Sequence, residues 1–205
     1  MLLRQPAAEL ERLLYDRAIR AHQLSAPPIF IIGHARSGTT HLHNLLALDP
    51  RFAFISYLQT SLPRQFMCIT RPELALLRAA LPATRGMDNV RMTLESAQEE
   101  EMALGILGDI CSYKCFYFPR RLIHHFSESV LLENVPAEKL QRFKDTYRML
   151  VKKISYAAGG SRQILFKNPT STCRIPLLLE LFPDARFIHI VRDPHEVFHS
   201  MQKLW

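Results

Sequence analysis

The sequence of 205 residues has little of several features that would mark a specialised class of protein. It contains only 7 glycines and 4 cysteines, which excludes a collagen-like repeat and a dense disulfide scaffold. No uncharged apolar run approaches the roughly 20 residues that a membrane span needs. The N-terminal residues have neither the apolar block nor the small-residue cleavage site of a signal peptide. The composition therefore indicates a folded globular protein.

Basic residues exceed acidic ones, with 26 Lys and Arg against 19 Asp and Glu, but they form no block. The net charge of +7 favours an anionic partner. Because the basic residues are scattered, we expect no nucleic-acid groove. The cysteines match no metal or redox pair and are predicted to be reduced thiols, which favours the cytoplasm over the Golgi lumen. The His124–His125 and His195/His199 pairs have no acidic or cysteine partner at metal spacing, so we predict no metal.

Short apolar runs alternate with helical patterns along the chain, which predicts an α/β fold with a central parallel sheet. The predicted strands cover residues 29–32, 163–166 and 186–191, and the predicted helices cover 6–24, 39–48, 72–81, 96–108, 136–158, 172–181 and 194–205. We expect one domain over residues 1–205, with residues 1–27 as a helical lead-in. Because the chain stops inside a predicted helix, we expect the C-terminal part of the domain to be missing.

The most informative segment reads G-x-x-x-x-G-T-T from Gly33 to Thr40, between a buried strand and a helix. In this context the loop amides and the helix N-terminus converge on one anion. Nucleoside triphosphatases place a Lys directly after the second Gly of this pattern, and Thr39 stands there instead. The basic residue is Arg36, inside the loop. An arginine with two threonine hydroxyls predicts an anion of lower charge, bound without a metal.

Two separated motifs resemble those of sulfotransferases that use 3′-phosphoadenosine-5′-phosphosulfate (PAPS). The first resembles the 5′-phosphosulfate loop of that family, and it comprises Arg36, Ser37, Gly38, Thr39 and Thr40. The second is Arg192-Asp193-Pro194 with Ser200, which resembles the 3′-phosphate motif. The arginine in the loop is closer to the Golgi-type and bacterial branches than to the cytosolic branch. The resemblance implies a P-loop-like three-layer fold, PAPS as co-substrate, and a 3′-phosphate bound by Arg192 and Ser200.

The sequence leaves several candidates open for the catalytic residues. Lys167 lies directly after the second predicted strand, where cytosolic members of the family have a motif similar to Lys-Thr-His. Pro169 stands at the position of the histidine in that motif and cannot serve as the base. A carboxylate among Glu99, Glu100 and Glu101 is the alternative, and His34 is a second candidate. Glu99 also follows Ser96 at the spacing of a capping box, and all three acids favour the first turn of a helix.

The hypothesis is therefore a PAPS-dependent sulfotransferase that moves a sulfuryl group to a hydroxyl or amine by direct in-line transfer. Arg36 and Lys167 would stabilise the developing charge, and Glu99 or Glu100 would take the proton. The expected acceptor is a small molecule, carbohydrate or lipid. The alternatives are a P-loop nucleotide kinase or nucleoside triphosphatase, and a non-catalytic anion-binding module. The acceptor, the compartment and the oligomeric state stay open at this point.

Overall fold

The computed structural model describes residues 5–84 and 90–203, so the start of the predicted lead-in and the final two residues of the last predicted helix lie outside it. The described residues form four strands: β1 (Ile29–Gly33), β2 (Phe52–Ala53), β3 (Gln163–Lys167) and β4 (Arg186–Ile190). The helices are α1 (Gln5–Ala21), α2 (Thr39–Leu46), α3 (Tyr57–Ser61), α4 (Arg71–Ala80), α5 (Glu100–Leu107), α6 (Lys114–Tyr117), α7 (Leu122–Phe126), α8 (Ala137–Ala157), α9 (Ile175–Leu181) and α10 (Pro194–Gln202).

The four strands form one sheet in the order β2-β3-β1-β4, and every pair is parallel. The predicted α/β class with a central parallel sheet is therefore confirmed. In the register, Ile31 on β1 pairs with Lys167 on β3, and Gly33 pairs with Ile190 on β4. The segments after β1, β3 and β4 consequently leave the sheet at one edge, where ligands of open α/β sheets bind.

The central strands are buried on both faces, as their continuous apolar runs indicate. Phe30 and Phe166 stack with ring centroids 5.7 Å apart and join a core cluster with Tyr147 and Leu150 of α8. Ile31, which points to the opposite face, is also fully buried. Each such side chain contributes roughly 1.5–3 kcal/mol when buried, so the edge that carries the loops rests on a rigid base.

The longest helix, α8, packs on β3 with its apolar stripe and carries many charged residues on its other side. Lys153 of α8 forms a buried ion pair with Glu11, which also accepts from the Met67 backbone N–H at 2.6 Å. This pair connects α1, α8 and the segment after α3. Within residues 5–84 and 90–203, no helix combines the length and apolar character that a bilayer crossing requires.

The predicted helix over 96–108 is wrong at its start, and so is its capping box. The Ser96 hydroxyl accepts from the Thr93 backbone N–H at 2.9 Å and does not cap the helix. Ala97 instead forms an antiparallel bridge with Ser56, and the Gln98 N–H donates to the Ile55 carbonyl. Because these backbone groups are already paired, the helix begins only at Glu100.

A second departure concerns the predicted helix over 172–181, which divides into two parts. Residues Pro169–Cys173 form a 3-10 turn, and α9 follows. The Asn168 side chain accepts from the Thr170 N–H at 2.9 Å, which fixes the tight turn directly after β3. The turn keeps residues 168–174 beside the functional edge of the sheet.

Candidate active site

The loop between β1 and α2 has a backbone that depends on glycine. Gly33 has φ of 140°, and a Cβ there would lie 2.5 Å from the Ile190 carbonyl oxygen. Arg36 has φ of 69° and Gly38 has φ of 102°. Residues that carry a side chain rarely adopt such positive φ values. The loop therefore packs closely against the end of β4, and its positive φ values curl its backbone as anion-binding nests do.

The N-terminus of α2 is free to receive an anion. Gly38 occupies the N-cap position, and no side chain in the described part of the chain caps it. The Ser37 hydroxyl donates to the His34 carbonyl at 2.7 Å, which fixes the loop rather than the helix end. The first amides of a helix without a cap form a positive site that suits a phosphate or sulfate group.

The two motifs lie close together in space, although 164 residues separate Arg36 from Ser200 in the sequence. The Arg36 Nε donates to the Ser200 Oγ at 3.0 Å, and Arg192 Nη1 donates to the Arg36 carbonyl at 3.2 Å. Arg192 also pairs with Glu196 one helical turn along α10, at 3.2 Å. Two guanidinium groups and the uncapped helix end therefore lie at one edge of the sheet.

Lys167 and Glu99 form an ion pair beside this edge. Lys167 ends β3 and is almost completely buried, whereas the Glu99 side chain is 24% exposed. The other carboxylate oxygen of Glu99 accepts from the Tyr113 hydroxyl at 3.2 Å. Burial and the Glu99 charge raise the pKa of Tyr113, so this hydroxyl stays a donor at neutral pH. Both oxygens of Glu99 are thus held in place while one side of the residue reaches solvent.

Glu100 has a different environment, since it is 0% exposed. One of its oxygens accepts from the Tyr147 hydroxyl at 2.8 Å, the Asn168 amide at 3.2 Å and the Ser171 hydroxyl at 3.4 Å. Burial raises the pKa of Glu100, against the effect of the Tyr147 hydrogen bond. A fully enclosed carboxyl cannot reach an acceptor that comes from solvent.

Glu101 is also buried, and it forms a bidentate pair with Arg174 at 2.7 and 3.1 Å. Its carboxylate accepts further from the Ser112 N–H at 2.5 Å and the Asn168 amide at 3.1 Å. Burial opposes its ionisation, but the charge and hydrogen bonds of Arg174 lower the pKa of Glu101 overall. This carboxylate joins α5 to the turn after β3 and faces away from solvent.

Two histidines near the loop differ in accessibility. His34 is exposed, and its Nδ1 lies 2.7 Å from the Ala35 carbonyl. His43 of α2 is buried against Phe54, and burial followed by the Lys167 charge lowers the pKa of His43 to about 3. His43 is therefore neutral at physiological pH and packs behind the site, whereas His34 stays accessible.

A groove of about 310 Å³ runs between α2 and residues 90–98. Its lining includes Thr40 of the loop motif and Gln98, which precedes Glu99 in the sequence. The lining mixes apolar side chains such as Phe54 and Leu48 with polar ones. A molecule in this groove would therefore contact Thr40 of the loop motif.

The expectation that His124 and His125 have no acidic neighbour is wrong. Glu128 follows one turn later, and one ligand atom of each of these three residues lies within 4.8 Å of the others. The Glu128 carboxylate, however, is paired with Lys139 at 2.5 Å, and Lys114 adds positive charge. Positive neighbours disfavour a cation at this place.

The model of the sulfotransferase family matches residues 27–205. The chain belongs to the sulfotransferase family. It is 34% identical over 190 residues to the omega-hydroxy-beta-dihydromenaquinone-9 sulfotransferase Stf3 of Mycobacterium bovis and of Mycobacterium tuberculosis. The match covers 93% of this chain and 48% of those relatives, so the chain spans about half the length of the curated relatives it matches.

Solved sulfotransferase structures share the fold. STF9 from Mycobacterium avium superimposes with a TM-score of 0.65 at 22% identity, over 98% of this chain and 51% of that protein. STF1 from Mycobacterium tuberculosis gives a TM-score of 0.53 at 18% identity, over 91% and 50%. At these identities the likeness concerns the backbone architecture alone.

Two residues that contact the predicted site or its loop carry no signal in the sequence. Tyr113 reaches Glu99 from an irregular segment, and no spacing indicates this contact. The Thr172 hydroxyl accepts from the Gly33 N–H at 2.9 Å and so connects the turn after β3 to the end of β1. Only the parallel pairing of β1 with β3 places it there, since 139 residues separate the two.

Proposed function

We propose that this chain forms the PAPS site of a sulfotransferase. The observation that carries the proposal is the contact of the two motifs, in which Arg36 donates to Ser200 and Arg192 donates to the Arg36 carbonyl. One nucleotide with phosphates at its 3′ and 5′ positions can then touch both motifs. Ser37, Gly38, Thr39 and Thr40 would hold the 5′-phosphosulfate with the helix N-terminus, and Arg192 with Ser200 would hold the 3′-phosphate.

The reaction that fits these residues is direct in-line transfer of the sulfuryl group. The acceptor oxygen forms a bond to sulfur while the bond from sulfur to the bridging oxygen of the donor breaks. Arg36 and Lys167 would stabilise the negative charge that gathers on the bridging and sulfuryl oxygens. Glu99 would take the acceptor proton, since it is the partly exposed member of the three glutamates. The buried Glu100, also a candidate from the sequence, has no such role here.

The acceptor we propose is a hydroxyl on a small molecule or a lipid. The relatives named Stf3 act, by their name, on a hydroxylated menaquinone derivative. The groove between α2 and residues 90–98 has an apolar wall from Phe54 and Leu48 and a polar lining that includes Gln98, the residue before Glu99 in the sequence. A chain of carbon atoms that carries a terminal hydroxyl would fit this combination of an apolar wall and a polar lining.

Calorimetric titration of the 205-residue chain with 3′-phosphoadenosine-5′-phosphate, ADP and ATP with magnesium tests the donor site. We expect the nucleotide with the 3′-phosphate to bind most tightly, and Arg192→Ala to weaken it by about 10- to 100-fold, as loss of a charge-assisted hydrogen bond would. Arg186→Ala is the matched control because Arg186 begins β4, at the end opposite to the one that Arg192 follows.

The outcomes separate the candidate functions. Magnesium-dependent preference for ATP would favour a kinase or nucleoside triphosphatase and contradict the proposal. Equal weakening by Arg192→Ala and Arg186→Ala would show that overall charge, rather than a 3′-phosphate site, attracts the nucleotide. If none of the three nucleotides binds, the proposal is contradicted and the non-catalytic anion-binding module is the hypothesis that is left.

A further inference from the structure

A group of apolar and basic side chains lies outside the proposed donor site. It comprises Tyr117, Phe118, Arg120, Arg121 and Ile123, which together are called the aromatic–basic surface below. Tyr117 is 74% exposed, Phe118 56% and Ile123 79%. Isolated apolar side chains are common on protein surfaces, but a neighbouring group of large ones marks an interaction site. Further exposed apolar side chains in the same segment are Phe116, Leu122, Phe126 and Leu131.

The segment is folded, so this exposure does not come from an unstructured loop. Helix α6, a 3-10 turn at Pro119–Arg121 and α7 follow one another directly. The Phe118 N–H donates to the Lys114 carbonyl at 2.9 Å, and the Arg121 N–H donates to the Phe118 carbonyl at 2.9 Å. Buried Cys115 anchors the segment from the inner side. The outer side chains are therefore presented by a backbone whose hydrogen bonds are made.

The charge of this region has one sign. Residues 110–127 contain Lys114, Arg120, Arg121 and two histidines but no Asp or Glu. The nearest acid that follows, Glu128, is paired with Lys139. Asp109 precedes the region, and its carbonyl oxygen accepts from Lys114. The positive charges of the two exposed arginines are thus not balanced by acids within the segment.

We propose that the aromatic–basic surface docks on an anionic lipid bilayer. Aromatic and aliphatic side chains enter the boundary between headgroups and acyl chains, while arginines stay with the phosphate groups. Aromatic and basic residues occur together here, since a groove of about 310 Å³ is lined by Tyr117, Phe118, Pro119, Arg120 and Arg121. The net charge of +7 adds attraction to a negatively charged surface.

The position of the surface gives docking a consequence for the reaction. Tyr113, four residues before Tyr117, donates to Glu99. A bilayer against the aromatic–basic surface would therefore lie close to the carboxylate that we propose as the base. This consequence rests on the proposed function, whereas docking itself rests only on exposure and charge.

Flotation of the 205-residue chain with vesicles tests the proposal. Vesicles of equal parts phosphatidylglycerol and phosphatidylcholine are compared with vesicles of phosphatidylcholine alone. We expect binding to the anionic vesicles that weakens with salt. The double variant Arg120→Gln/Arg121→Gln should bind about 30-fold more weakly, since each basic residue near such a surface contributes about fivefold. Tyr117→Ser/Ile123→Ser should weaken binding at least about tenfold, because it removes the apolar contact.

Matched controls change the same residue types elsewhere. Arg162→Gln/Arg186→Gln removes two exposed arginines, and Leu13→Ser removes an exposed leucine that is 74% accessible. These controls should bind vesicles as the wild type does. The affinity for 3′-phosphoadenosine-5′-phosphate, measured on every variant, reports folding and the donor site independently of docking.

Three outcomes would overturn docking on lipid. They are no flotation with anionic vesicles, equal loss in variants and controls, and equal binding to neutral vesicles. Sedimentation velocity adds a fourth. If the surface variants abolish self-association while vesicle binding is absent, the surface contacts a second copy of the chain.

Discussion

Replacement of Arg36 by glycine and by alanine separates the two contributions of this residue, backbone strain and charge. Arg36 has φ of 69°, a left-handed conformation that costs a side-chain-bearing residue about 1–2 kcal/mol. Glycine removes that cost. Glycine also gives the unfolded chain more conformational freedom, which lowers the free energy of unfolding by about 0.4–1 kcal/mol. Loss of the hydrogen bond to Ser200 lowers it by about 0.5–1.5 kcal/mol more.

These terms nearly cancel for glycine, so the free energy of unfolding of Arg36→Gly should stay within about 1 kcal/mol of the wild type. Alanine keeps the backbone strain and also loses the hydrogen bond. We therefore expect Arg36→Ala to be about 1 kcal/mol less stable than Arg36→Gly, the reverse of the usual order of these two residues in helices and strands. Urea denaturation followed by circular dichroism measures both values.

Nucleotide binding should respond differently from stability. Both variants lack the guanidinium, so both should bind 3′-phosphoadenosine-5′-phosphate about 10- to 100-fold more weakly, in the range expected for a charge-assisted hydrogen bond. Asn134 supplies the control, since it is exposed and has φ of 54°. Asn134→Gly should be more stable than Asn134→Ala, with no change in nucleotide affinity. Wild-type affinity in both Arg36 variants would refute the assigned role, and an alanine variant as stable as the glycine variant would refute the strain.

Three further predictions concern the three consecutive glutamates and Arg174, the partner of Glu101. Glu99→Gln should lower sulfuryl transfer from PAPS to a prenyl alcohol by about 100-fold or more, as loss of a general base does, whereas Glu100→Gln should retain transfer; the reverse order would move the base to Glu100. Arg174→Ala should lower the free energy of unfolding by about 3–5 kcal/mol because it leaves a buried charge unpaired, while Arg148→Ala on the surface of α8 should change it by less than about 0.5 kcal/mol. The lowered pKa of Glu101 means that its stabilisation is complete above the unfolded carboxyl value of about 4.3 and is lost as pH falls below it, so Glu101→Gln should flatten the acid side of the stability profile.

Two of the three predicted strands, β1 and β3, have side chains buried on both faces, whereas β4 is also predicted although its residues are exposed or half-buried. Ile29–Gly33 and Gln163–Lys167 appear as short apolar runs because helices cover the sheet on each side. Phe52–Ala53 could not be predicted, since two residues have no periodicity. It exists because backbone groups pair with β3, as the Gln163 N–H does with the Arg51 carbonyl at 3.0 Å.

The sequence could outline the proposed donor site because its parts are attached to strand ends. Gly33 ends β1 and Arg192 follows β4, and parallel neighbours bring their ends to one edge whatever their separation in sequence. No comparable rule predicts the contacts that residues of irregular segments make. Tyr113 and Thr172 therefore emerge only from the three-dimensional arrangement, although Tyr113 contacts the predicted site residue Glu99 and Thr172 contacts Gly33 at the start of the predicted loop.

The run of three glutamates shows why residue type alone does not assign a role. Each residue of a helix is rotated by about 100° from the one before it, so neighbours in sequence face different surroundings. Glu99 precedes the helix with an extended backbone, at ψ of 137°, and lies against Lys167 at the edge of the sheet. Glu100 turns into the core, where burial favours its neutral form, and Glu101 turns to Arg174, whose charge favours the ionised form. The position of the helix start therefore decides which carboxylate reaches solvent, and that start is set by the backbone pairing of residues 96–98 with 55–57.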